Sequence, residues 1–305
     1  MSTLHEVSPE PVALGPGIPA GLSPSGNNHP YLTKTISILR KAQAYSIIPF
    51  GGFAAIHIFS VVITPAIFGP EAGNDMIGLG REIYHVPIVE LSILLSATIH
   101  VTSGILLNFT RKYYNYIKYG KTKLGKNFKK DSIKNSMKIK SNIENTEVKD
   151  INEGLGGISS IVGAGSRPSI TARWLGLSPL SFSGYMFLIF LGGHVFYERI
   201  APLIVDGDSS MIDLNYVSHG LQETFWKTFN GINLLVITGT YHMLVGLNRY
   251  LGRFTLKQRK RTYQTLAMLA ILGCVSLLRV KQIEVFSAAA KRYNQYQNVA
   301  WSLSK

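Results

Sequence analysis

Five apolar stretches, each near the length of a membrane crossing, limit what this chain can fold into. A spanning helix takes about 20 largely apolar residues, and 45–68, 86–109, 180–205, 229–247 and 263–278 approach that length. Lipid offers no water to an exposed peptide group, so each stretch must close its own backbone hydrogen bonds, which a helix does. Charged residues are 16% of the 305, well below the roughly 25% of a soluble domain. Cys274 is the single cysteine, so no intrachain disulfide and no multi-cysteine metal site can form. The class expected is an all-α integral membrane protein with five transmembrane helices.

The charge distribution gives these spans a direction. Let side A be the face carrying the N-terminus. Residues 1–41, 111–174 and 249–261 then share it, with 23 Lys and Arg against 7 acids; 69–85 and 198–228 face side B with 3 against 8. Basic loops stay cytosolic, so side A is expected in the cytosol. The net charge of +14 is thereby mostly membrane-flanking, and nucleic-acid binding is not needed to explain it. The basic 281–305 segment fits this scheme less well. The expected division is a disordered tail (1–40), a first hairpin (41–110), a basic loop (111–175) and a second hairpin (176–250). A short basic loop (251–261), a fifth span (262–280) and a C-terminal tail (281–305) complete it. Residues 1–33 hold no Lys or Arg, so they resemble neither a secretory signal nor a transit peptide.

Four of the eight histidines, His57, His100, His194 and His242, fall one each inside the first four spans. Their surroundings repeat. His57 precedes Pro65 by eight residues and His194 precedes Pro202 by eight; Thr98-x-His100-x-x-x-Gly104 is matched by Thr240-x-His242-x-x-x-Gly246. The pattern reads as a tandem-duplicated two-helix hairpin, and repeat symmetry pairs His57 with His194 and His100 with His242. Ionisable groups inside lipid turn toward the bundle interior. Carboxylates are scarce in the spans, so zinc and di-iron sites fit poorly. Haem b needs only two imidazoles from facing helices; the four histidines are therefore candidate ligands of haem iron, for one haem or two. The bland alternative is that each histidine simply bonds a neighbouring helix. The distances from the prolines and arginines leave open whether the two pairs lie at one depth or two.

The run SGYMFLIFLGGHVFYERIAP (183–202) and its twin around His57 resemble the membrane-anchor cytochrome b subunits of succinate dehydrogenase and fumarate reductase. That likeness implies a haem-b-type four-helix bundle. A second resemblance covers more of the chain. LHEVSPEPV (4–12), REI (81–83), GLGGIS (154–159) and the four histidine-bearing spans are similar to a fungal family of mitochondrial outer-membrane adapters, found as suppressors of lost endoplasmic reticulum–mitochondria tethering. It implies a multi-pass outer-membrane protein with its N-terminus in the cytosol, a part in mitochondrial lipid homeostasis, and no enzymatic activity. It also implies recruitment of a vacuolar-sorting-type lipid-transfer protein through a Pro-x-Pro motif. Pro9 and Pro11 match that motif, with Leu4 and Val7 upstream; the Lys/Asn-rich insertion before GLGGIS departs from the pattern. Pro-x-Pro holds a free tail near the extended polyproline form and so lowers the entropy lost on docking.

Adapter, electron-transfer cytochrome b, and transporter or scramblase are the competing functions. The first needs the tail and the second the histidines, and the third lacks a broken helix with a paired ion site. No nucleophile–base pair or phosphate loop is evident.

Overall fold

In the computed structural model, residues 29–119, 171, 175, 177–210, 212–253 and 255–302 are described. Their regular secondary structure is all helical. The helices are α1 (Pro30–Tyr45), α2 (Ile47–Ile58), α3 (Thr64–Phe68), α4 (Pro70–Tyr84), α5 (Pro87–Tyr119), α6 (Pro179–Val195), α7 (Ala201–Asp206), α8 (Leu214–Glu223), α9 (Phe225–Tyr250), α10 (Leu256–Val280) and α11 (Ser287–Ser302). Short π-helical segments, Phe59–Ile63 and Phe196–Ile200, join α2 to α3 and α6 to α7.

Four helical stretches are long and apolar enough to cross a membrane: Pro30–Phe68, Pro87–Tyr114, Pro179–Asp206 and Lys257–Val280. Helix α9, the expected fourth span, has the length at 26 residues. It is more polar, carrying Lys227, Asn230, Asn233 and His242, and it packs along both α6 and α10.

The bundle is apolar outside and small or hydroxylated inside. On α5, Ile88, Leu91, Leu95 and Leu106 are exposed, while Ser96 and Ser103 are 5% and 4% exposed. Lipid tails are as apolar as leucine, so these helices gain by close packing at small residues. The buried hydroxyls need partners and find them on their own helices: Ser96 donates to Ile93 O, Ser103 to His100 O and Thr240 to Val236 O.

The two π segments have the same cause. Pro65 and Pro202 have no N–H to close the regular helical ladder. Just before each, Thr64 and Ala201 N–H reach back five residues, to Phe59 O and Phe196 O. Val61 O, which a residue other than proline at 65 would bond, instead accepts from Ser276 Oγ at 2.9 Å. Arg279 Nη1 likewise donates to Ile67 O at the end of α3. Helix α10 is thus seated on the interrupted first span. Its own start is closed by a capping box between Thr255 and Gln258.

The tail and C-terminal expectations need revision. Helix already begins at Pro30, so the last part of the expected 1–40 tail is ordered. Residues 281–305 are not simply a tail either: α11 packs its Tyr293, Tyr296 and Val299 against Ala201 and Tyr216. Arg292 and the Tyr296 hydroxyl both bond Asp206. With α4 and α8, this helix makes a cap on side B, where Ile77, Leu214, Leu221, Leu277 and Val280 form a separate core.

Candidate functional site

The structure brings the four span histidines together as two pairs. The His57 and His194 rings are 6.0 Å apart, centre to centre, with planes at 55°. Those of His100 and His242 are 6.1 Å apart with planes at 80°. Leu4, Val7, Pro9 and Pro11 lie outside the described residues, as does most of the basic loop.

The pairs sit at different depths. His100 Nδ1 is 3.1 Å from Gln43 O, and His242 Nδ1 is 3.2 Å from Leu180 O. Gln43 precedes His57 by fourteen positions, and Leu180 precedes His194 by fourteen. At about 1.5 Å per residue this separates the two levels by roughly 20 Å. His100 and His242 lie toward side A, and His57 and His194 lie deeper.

The side-A pair is oriented and the deeper pair is not. A carbonyl only accepts, so His100 and His242 each carry their proton on Nδ1, which leaves the Nε2 lone pair free. Ser46 and Ser183 donate to the same two carbonyls, Gln43 O and Leu180 O. His57 stacks on Phe53, but among the described residues neither His57 nor His194 has a hydrogen-bond partner.

His100 and His242 face a cleft lined also by Phe50, Phe187, Gly104 and Gly184. Gly184 is required for the approach of His242: a Cβ there would lie 2.8 Å from its Cε1. Asn108 Nδ2 bonds the Tyr185 hydroxyl in the same lining.

The cleft straddles the two repeats, and its symmetry was partly legible. Ser46, Phe50, His57, Phe59 and Pro65 each have an identical residue 137 positions later, at Ser183, Phe187, His194, Phe196 and Pro202. Only the histidines and prolines of that series are singled out by their spacing. The two serines and Phe50 with Phe187, whose rings meet edge-on at 6.4 Å, were missed; a search at constant offset finds them. The orienting carbonyls of Gln43 and Leu180 leave no trace in residue letters.

No group of three or more His, Cys, Asp or Glu able to hold a bare metal ion occurs among the described residues. A metal held by the protein alone takes three or four such ligands. An iron already held by a porphyrin takes two, and pairs are what this bundle offers.

Fold and site together define an all-helical protein with four helices long and apolar enough to cross a membrane and with its span histidines gathered in two pairs. The chain belongs to the family described as MDM10-complementing protein 1, transmembrane domain, which matches residues 52–166 and 189–284 and so takes in all four histidines. It is 26% identical over 304 residues to the mitochondrial adapter protein MCP1 of Saccharomyces cerevisiae, covering 92% of this chain and 91% of that protein. No solved structure matches.

Proposed function

We propose that this protein is a multi-pass adapter of the mitochondrial outer membrane that recruits a vacuolar-sorting-type lipid-transfer protein to organelle contacts and so supports mitochondrial lipid homeostasis. The observation that carries the reading is the near full-length similarity to a protein named a mitochondrial adapter. The protein crosses the membrane five times, with α9 as the fourth span, and keeps its N-terminus and the 111–174 loop in the cytosol; the basic excess of those segments supports this orientation. The docking element is the N-terminal tail, with Leu4, Val7, Pro9 and Pro11 as its contact residues; a Pro-x-Pro sequence favours the extended form that such docking takes. Membrane lipids surround the bundle, no nucleic acid is involved, and the adapter is not an enzyme. Within the bundle, His57, His100, His194 and His242 are the residues that would hold haem b, whose iron would supply one-electron redox chemistry.

The test is recruitment. Pro9→Ala with Pro11→Ala should abolish accumulation of the lipid-transfer partner on mitochondria while the bundle inserts normally. Residues 1–20 fused to an unrelated outer-membrane anchor should suffice for recruitment. A fusion that fails, where the full chain succeeds, moves the determinant to the 111–174 loop.

A second reading, transmembrane electron transfer, is favoured by one observation: the histidine pairs stand at two depths rather than one. A reduction potential for a bound haem that responds to added quinone would support it.

A further inference from the structure

We infer that the cleft between His100 and His242 is the haem b site of this bundle, with one imidazole from each repeat as axial ligand. The inference rests on the reading that the bundle carries haem and decides which histidines hold it.

Four features of the site converge. The first is separation. Two imidazoles binding one metal from opposite sides at about 2.0–2.1 Å each put their ring centres roughly 6 Å apart; the rings of His100 and His242 stand at 6.1 Å. The second is protonation. Gln43 O and Leu180 O fix the proton of each ring on Nδ1, leaving Nε2 as the ligating atom. Such outer contacts orient a metal-binding histidine and raise its basicity. The third is space. The pair opens into a mostly apolar cleft whose other walls include Phe50 and Phe187, aromatic faces suited to a flat apolar ring. The fourth is the symmetry of the frame. His100 and His242, Ser46 and Ser183, and Phe50 and Phe187 are repeat-related, as a ligand with two equivalent faces requires.

The His57–His194 pair shares the separation and the repeat symmetry but not the fixed protonation. Its rings are 6.0 Å apart, but no hydrogen bond among the described residues sets either tautomer, and Phe53 stacks on one ring. The porphyrin carboxylates would find donors in the Asn108 amide and the Tyr185 hydroxyl, both in the cleft lining.

The experiment uses full-length protein purified in detergent and supplemented with haemin, read by absorbance, haemochrome stoichiometry and low-temperature electron paramagnetic resonance. The expected result is a six-coordinate low-spin spectrum. Axial ligands set the electronic character of haem iron, and ring planes near 80° should give the ferric centre one strongly anisotropic line rather than a rhombic triplet. His100→Gly or His242→Gly should abolish the low-spin spectrum at this site, and added imidazole should restore it, which separates loss of a ligand from loss of the fold. His57→Gly and His194→Gly should retain the anisotropic signal. Low-spin haem that survives loss of His100 and His242 but not of His57 and His194 overturns the site and keeps the haem reading. Folded protein that copurifies with phospholipid and shows no Soret band after supplementation overturns both, and leaves recruitment by the tail as a separate measurement.

Discussion

The Ser276 hydroxyl donates to Val61 O at 2.9 Å, the carbonyl that Pro65 leaves without its helical partner. A serine on α10 thus completes the backbone of the first span, 215 residues earlier in the chain. Pro65 stops the ladder, the π segment absorbs the mismatch, and the freed oxygen becomes a docking point for another helix. Ser276→Ala should therefore destabilise the protein by about 1–3 kcal/mol, the cost of leaving a buried acceptor unsatisfied. Thermal unfolding in detergent measures it. Ser92→Ala, which removes an exposed hydroxyl bonded only within its own helix, should change little.

Gly73 is where α4 meets that same proline. A Cβ at this position would lie 2.7 Å from Pro65 Cγ and 2.9 Å from Leu214 Cδ1, and a buried proline ring has little freedom to withdraw. Gly73→Ala should cost about 1–2 kcal/mol, overpacking outweighing the gain in helix propensity. Gly78, on the same helix, has nothing within 4 Å of such a Cβ. Gly78→Ala should instead stabilise by up to about 1 kcal/mol. Equal effects at the two sites would refute the packing account.

On side B, Arg199 pairs with Glu90 and donates through Nη1 to His85 Nε2 at 3.1 Å. His85 must be neutral to accept. Burial first, then the Arg199 charge, holds its pKa below the ordinary imidazole value, with Arg81 acting the same way and Glu90 and Asp208 opposing. The unfolded chain then binds the proton more readily than the folded one. Stability from this contact is full above about pH 7 and falls as pH drops through 6.5 toward the lowered value. His85→Gln should flatten the pH dependence of the unfolding midpoint between about pH 7.5 and pH 5.5. An unchanged slope would show that His85 is not linked to folding.

Orientation has its own measurement. Protease added to intact mitochondria should remove an N-terminal tag, because the N-terminus shares its face with the basic segments. A tag behind α11 should stay protected until the outer membrane is opened. The reverse pattern would invert the topology.

The apolar runs of this sequence determined that it is an all-helical membrane protein, because lipid leaves the backbone little other choice. The eight-residue spacing of His57 from Pro65 and of His194 from Pro202 marks two similar stretches of sequence, both of which fold as a helix ending in a π segment before the proline. Tertiary structure alone decided the rest. It placed the histidine pairs at two levels, because the atoms that orient His100 and His242 are backbone carbonyls, and every residue has one. It turned residues 287–302 into a packed helix, because Tyr293, Tyr296 and Val299 are too few to mark a buried face until Tyr216 and Ala201 lie opposite them. It also set the polar α9 between α6 and α10, where neighbouring helices supply partners that lipid cannot.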